Sequence, residues 1–165
     1  MEYRIEENLI NCQYNYDGNE VLKKDIIKSW ENNLNYDLLE KKLRKPQLGA
    51  LYALKSHFTV SNNEATVVMP TGTGKTETML SYIVSEKLEQ VLIILPSVLL
   101  RDQTYNKCKT LGLISQFKIL NENALLPNVC LLKKTPSDKE VLENITWNVN
   151  CIVVNDVRPK SRKKY

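Results

Sequence analysis

The chain has little of what most catalytic and metal sites are made from. It holds one histidine, His57, so no histidine-based triad and no imidazole metal cluster can be assembled within one copy. Cys12, Cys108, Cys130 and Cys151 are scattered without paired spacing. That excludes the usual zinc patterns and leads us to expect buried or free thiols in a reducing compartment. No apolar run approaches the roughly 20 residues needed to span a bilayer. The opening Met-Glu-Tyr-Arg-Ile-Glu-Glu lacks the basic-then-apolar layout of a signal peptide. A cytoplasmic protein with no membrane partner is expected. Internal repeats and low-complexity segments are also missing, and nowhere does Asp directly precede Glu.

What is present fits one globular domain: 165 residues, 42% hydrophobic and 25% charged. The net charge of +4 is unevenly spread. Residues 1–44 sum to −2, residues 45–157 to +1, and Arg158–Tyr165 to +5. The basic excess is therefore a property of the tail, where a solvated chain end is the commoner outcome and phosphate contact the rarer one.

Periodicity organises the rest. Leu22, Ile26, Trp30 and Leu34 recur every four residues and predict a helix from Glu20. Asp37 is the expected N-cap of a short helix through Leu43. Pro46 suits the first turn of a third helix, Gln47 to Phe58, with Leu51, Leu54 and Phe58 on one face and His57 on its surface. Ala65–Met69 reads as a buried parallel strand. A helix is expected over Lys75–Lys87, a strand over Val91–Leu95, and a helix over Val98–Leu111 ended by Gly112. Phe117–Leu120 and Val129–Leu132 are weaker strand candidates. Ser137 and Glu140 form a capping box for a helix to Trp147, and Asn150–Val154 is the last strand. Alternating strands and helices predict an α/β fold, a parallel sheet with helices on both faces.

Between the first strand and its helix lies Met69-Pro70-Thr71-Gly72-Thr73-Gly74-Lys75-Thr76. Glycines there let backbone N–H groups turn inward around phosphate oxygens, where a Cβ would obstruct them. The helix that follows aims unpaired amides and a partial positive charge at the same anion. Lys75 is placed to reach the β- and γ-phosphates, and the Thr76 hydroxyl to ligate Mg²⁺. Met69 stands where the general P-loop (Walker A) pattern asks for Gly or Ala.

Pro70–Thr76 resembles motif I of superfamily 2 helicases of the DEAD/DEAH type, especially the restriction-enzyme (type III res subunit) and UvrB-like group. Upstream, Leu43-Arg44-Lys45-Pro46-Gln47 is similar to the Arg-x-x-Gln element of that family, in which the glutamine recognises adenine. Downstream, Val91–Leu95 with Pro96–Gln103 is similar to motif Ia, where the backbone meets nucleic-acid phosphates. On that likeness Leu99 and Leu100 are core, and Ser97 and Arg101 face the strand. The resemblance implies a RecA-like motor domain over 37–157, preceded by a helical extension over 1–36 and followed by a basic tail over 158–165. It implies ATP and Mg²⁺ as cofactors, nucleotide contacts from Arg44, Gln47 and Pro70–Thr76, and DNA ahead of RNA as partner.

The family also needs a motif II, Asp-Glu-x-His or Asp-Glu-x-Asp, to hold Mg²⁺ and orient the attacking water. This chain has no Asp-Glu pair. Asn155-Asp156 either stands in that place, where an amide holds Mg²⁺ poorly and Asp is a methylene short, or ends an earlier strand, with motif II lying beyond it. We favour the second. The second motor domain and its arginine finger are not in the chain either, so hydrolysis by it alone is not expected. Two functions remain. One is the ATP-binding N-terminal motor domain of a DNA helicase or translocase, working with the missing half or a partner subunit. The other is a non-catalytic, nucleotide-dependent interaction module docking through the Trp30 helix. A small P-loop kinase would need an arginine-rich lid, and Arg101 is the one arginine between Lys75 and Asp156.

Overall fold

The computed structural model describes residues 10–13, 21–133, 139, 143, 145 and 149–155. Three helices come before the parallel strands in the chain. Helix α1 (Lys23–Asn33) buries Ile26 and Trp30, one turn apart on one face, completely. The Trp30 indole N–H finds a partner in the Leu125 carbonyl at 2.8 Å. Helix α2 (Tyr36–Lys42) is capped by Asn35, whose side chain accepts from the Leu38 N–H at 3.0 Å. The expected cap, Asp37, lies instead in the first turn, because the amide two residues earlier already satisfies the free N–H. Helix α3 (Lys45–Val60) carries Pro46 in its first turn, and the Gln47 side chain reaches back to accept from the Arg44 N–H at 2.8 Å. Its inner face is narrower than expected: Leu51 is buried, but Phe58 is largely exposed beside Tyr82. His57 is partly exposed, as expected, and its Nε2 lies 2.9 Å from the Asn63 carbonyl.

Helix α4 (Lys75–Ser85), strand β2 (Val91–Leu95), helix α5 (Val98–Thr110) and the short α6 (Leu113–Gln116) follow, then strands β3 (Val129–Leu132) and β4 (Cys151–Asn155). With strand β1 (Ile10–Gln13) they form one sheet of order β1-β3-β4-β2. β2, β4 and β3 are parallel, while β1 runs antiparallel on β3. Register and alternation give the sheet two unlike faces. Ile93, Val153 and Leu131 lie abreast and are buried with side chains from all six helices. The other face carries Cys130 and Ile152 abreast with Leu92. It is covered beside β1 by Ile145 and Val149 and uncovered at β2, where Leu92 and Ile94 are 58% and 60% exposed.

The starts of the three parallel strands converge on Asn150, which is fully buried. Its N–H donates to Asn128 O at 2.9 Å, its Oδ1 accepts from Asn128 N at 3.0 Å, its Nδ2 donates to Glu89 O at 3.2 Å, and its carbonyl accepts from Val91 N at 2.8 Å. A buried polar side chain is tolerated here because its bonding capacity is used.

Several expectations are corrected. Ala65–Met69 is not a strand: it is unpaired among the described residues, and Val67 and Val68 are 40% and 89% exposed. β-branched side chains favour extension, but a strand exists only when a neighbour takes its N–H and C=O groups. Phe117–Leu120 is a turn with Lys118 at φ 55°, tied by one bridge from Leu120 to Leu34. Strand β1 has no counterpart among the expected elements. Cys12 and Cys130 face each other across β1 and β3 and form a disulfide, whereas Cys108 and Cys151 are buried free thiols. The capping box at Ser137 and Glu140 lies outside the described residues.

Candidate functional site: the phosphate loop and its brace

The turn from Pro70 into α4 is built on two positive φ angles, 81° at Gly72 and 92° at Gly74, the second being the N-cap of α4. Only glycine takes that conformation at no steric cost. Thr73 closes the turn, its Oγ1 donating to the Pro70 carbonyl at 2.7 Å. The loop carbonyls of Pro70, Gly72 and Gly74 all have partners. Arg44 Nη1 donates to Gly72 O at 3.2 Å, Gln47 Nε2 to Gly74 O at 3.4 Å, and Thr78 N to Gly74 O at 3.0 Å. The amides of Thr71, Gly72, Gly74, Lys75 and Thr76 have no acceptor among the described residues. Carbonyls turned to the protein and free amides at a helix N-terminus are what binding of an oxyanion requires. Lys75 adds an exposed cation with no ion-pair partner among the described residues.

Gln47 is the buried member of the group, 1% exposed. Its Oε1 accepts from the Arg44 N–H at 2.8 Å, so the first turn of α3 holds the side chain that in turn braces the loop. Residues 27 positions apart are thereby joined. Any Cβ at position 74 would collide with Gln47 Nε2.

Glu77 was missed by sequence reasoning. It lies in the first turn of α4, is 5% exposed, and accepts from Leu113 N at 3.1 Å and Lys107 Nζ at 2.5 Å. A Cβ at Gly112, φ 49°, would meet its Oε2 at 2.7 Å. The phosphate loop's helix is thus pinned to the end of α5 by one carboxylate. No spacing rule points to it, because its partners lie 30 and 36 residues away.

The segment after β2 reverses expectation. Ser97 is exposed and caps α5, its Oγ accepting from Leu100 N at 3.3 Å. Leu99 and Leu100, expected in the core, are 68% and 44% exposed, whereas Arg101 is 5% exposed and ion-paired with Asp102 at 2.8 Å. The buried stripe of α5 is Arg101, Thr104, Tyr105 and Cys108. The phase of the helix follows that stripe, and so Arg101 is turned away from the open surface that Ser97 occupies.

Asn155 ends β4 opposite Leu95, and Asp156 lies outside the described residues. Both edges of β4 are taken, by β3 and β2, so Asn155 does not end a strand lying beside Ala65–Met69. For Mg²⁺ the loop offers the Thr76 hydroxyl, and among the described residues no group of three or more His, Cys, Asp or Glu could hold a metal ion. That donor set does not fit a divalent ion held by this chain's own side chains, since Mg²⁺ favours carboxylate and phosphate oxygens. No helix among the described residues is long and apolar enough to cross a membrane.

The mixed α/β architecture is compatible with a RecA-like domain. No curated protein and no solved structure gives a significant match to the chain. A family model described as type III restriction enzyme, res subunit, matches residues 40–151, more than half of the chain, and spans Gln47, the phosphate loop and Ser97 together. The chain therefore belongs to the type III restriction enzyme res subunit family, the N-terminal motor domain of superfamily 2 helicases.

Proposed function

We propose that this chain is the ATP-binding N-terminal motor domain, or a part of it, of an ATP-dependent DNA helicase or translocase. One observation carries the reading: the Arg44–Gln47 element and the Pro70–Thr76 loop are in direct hydrogen-bond contact, with the free amides of the α4 N-terminus beside them. In this reading the free amides of Thr71, Gly72, Gly74, Lys75 and Thr76, with the Lys75 ammonium, bind the phosphates, and Arg44 and Gln47 lie where a base and sugar would enter. Thr76 would be the one side-chain ligand the loop offers to a divalent ion carried by the nucleotide, whose charge would offset that of the phosphates. Nucleic acid, DNA ahead of RNA, runs past the exposed Ser97 at the start of α5. The motor domain spans 37–157 in this reading, with β1 and α1 joined to its sheet and core in place of the expected purely helical extension over 1–36, and with 158–165 as a basic segment.

The chain binds ATP without turning it over. Phosphoryl transfer needs a positioned water, a firmly held metal and positive charge opposite the γ-phosphate. Lys75 and Thr76 supply one charge and one ligand. An arginine finger alone is worth roughly 10³ to 10⁵ in rate. Docking on a partner through Trp30 finds no support, since that side chain is fully buried in its own core and its N–H is bonded there.

Calorimetry tests the first half. Lys75→Ala is expected to weaken ATP binding at least about tenfold, or about 1.4 kcal/mol, and equal affinities would overturn the assignment. A phosphate-release assay with single- and double-stranded DNA tests the second. DNA-stimulated turnover of about 1 s⁻¹, within the usual enzymatic range, would overturn this and make Asn155-Asp156 a working motif II.

A further inference from the structure

Glu77 is the third residue of α4, directly after Thr76 and three places beyond the Gly74 N-cap. A glutamate or glutamine at that position ordinarily reaches back to the N–H that opens its own helix, and the positive end of the helix attracts a carboxylate there. Gln47, at the same position of α3, makes that bond, accepting from the Arg44 N–H at 2.8 Å. Glu77 does not. The Gly74 N–H has no acceptor among the described residues and belongs to the set that would take phosphate. Glu77 is turned instead toward the end of α5. Its Oε2 accepts from Leu113 N at 3.1 Å and its Oε1 from Lys107 Nζ. Gly112 leaves the carboxylate its room, since a Cβ there would lie 2.7 Å from Oε2. A seat built from α5 and the turn after it thus draws the carboxylate off the helix end that its position favours.

We propose that Lys107 is a positioning residue for the phosphate loop: its ammonium holds Glu77 against the end of α5 and so keeps this chain's own carboxylate from capping Gly74 and competing with phosphate for the free amides. The two donors of the seat are unequal. Leu113 N–H is a neutral backbone group, whereas Lys107 is the one cation paired with Glu77 among the described residues, and it is half exposed. With the ammonium gone, a buried carboxylate keeps a single neutral donor, which is a costly state for a charge. The start of α4 offers it an unused N–H and a partial positive charge about one helical turn, or about 5 Å, away. A carboxylate that moved there would also repel a phosphate, since that separation is inside the Debye length of about 8 Å at physiological salt. The effect on nucleotide rests on the reading of the loop given above. The choice of Glu77 between two sets of donors does not.

The experiment uses the full chain and four variants. Lys107→Met removes charge and donor, Lys107→Arg keeps both, Glu77→Gln keeps an acceptor for Leu113 N–H without the charge, and the fourth combines Glu77→Gln with Lys107→Met. Without nucleotide, amide exchange at Gly74 is expected to slow at least about tenfold in Lys107→Met, the scale of one hydrogen bond to a charged group. Lys107→Arg and the double variant should exchange as the wild type does. Calorimetry with Mg²⁺–ATP should show affinity falling about fivefold in Lys107→Met and returning to within about twofold of wild type in the double variant. Loss of protection at the Val129–Leu132 amides would reveal a Lys107→Met that fails to fold. Lys107→Gln, which keeps a donor without the charge, is then read in its place with the same signs expected. Unchanged exchange at Gly74 overturns the proposal. So does a loss of ATP affinity that the double variant does not restore, which would make the Glu77–Lys107 pair a brace of the fold alone. A wild type that binds no ATP would sink the nucleotide reading by itself, because exchange at Gly74 is measured without ligand.

Discussion

The side-chain amide of Gln47 donates to the Gly74 carbonyl at 3.4 Å, and its oxygen accepts from the Arg44 N–H at 2.8 Å. The residue expected to read a base thus also holds the loop that would take the phosphates. Gln47→Ala should lower stability by about 1–2 kcal/mol, from the lost bonds of its side chain to the Arg44 N–H and the Gly74 carbonyl. It should also reduce a preference for ATP over GTP to parity. Denaturant melts and paired titrations with the two nucleotides check this. A wild type that binds both equally would leave Gln47 as a brace alone.

Two glycines should respond in opposite senses to alanine. At Gly74 the φ of 92° and the adjacent Gln47 make any Cβ costly, so Gly74→Ala should destabilise by about 1–2 kcal/mol or more and abolish measurable ATP binding. Gly49 lies inside α3, and a methyl group added there would meet nothing within 4 Å. Gly49→Ala should therefore stabilise by about 0.5–1 kcal/mol, a rise in Tm of about 1–4 °C. Thermal melts of the pair decide it, and a stable Gly74→Ala that binds ATP would contradict the geometry.

Glu77 is nearly buried between a backbone donor and Lys107. Glu77→Ala leaves the Leu113 N–H without its partner and should cost about 2–4 kcal/mol. Lys107 is half exposed, so Lys107→Gln should cost less, because the amide can still donate. Chemical denaturation of both variants tests the order, and the reverse order would show that the carboxylate is not the anchor.

Alkaline pH should loosen the fold. Hydrogen bonding to Cys151, together with burial, pushes the Cys108 thiol well above its ordinary value. Burial and the nearby Glu86 raise Tyr82 as well. For an acid raised in the folded state, the folded form holds its proton where the unfolded form has lost it. The stabilisation therefore grows as pH falls only in relative terms: below the unfolded thiol value, about 8.5, neither form has lost the proton and the folded state keeps its full margin. Above that value the unfolded thiol ionises while the folded one cannot, and the margin shrinks. Tm should decline above about pH 9, and Cys108→Ala should flatten the first part of that decline. Cys108 should resist alkylation in the native chain. Rapid alkylation at pH 8 would contradict its burial.

The parts of this fold legible in the sequence are those enforced by local chemistry. Gly72 and Gly74 announce the loop because few other residues take positive φ. Val91–Leu95 announces β2 as an apolar run stopped by Pro96. Pro46 marks the start of α3. Illegible parts depend on partners far along the chain. β1 is four residues, Ile-Asn-Cys-Gln, and exists through pairing with β3. Ala65–Met69 has strand composition without a neighbour. In α5 the buried stripe runs through Arg101 and Thr104, and these polar members hide the helical period while the exposed Leu99 and Leu100 advertise a false one.

Asn150 binds the entry points of three strands at once, and this makes the two ends of the sheet unequal. At that end β2, β3 and β4 cannot fray one by one, because opening any of them breaks bonds made by the others. Among the described residues the opposite end, where Leu95 gives way to Ser97 and α5, shows no such knot. The end of β2 at Leu95 is therefore expected to open before the end at Val91, which Asn150 holds in place.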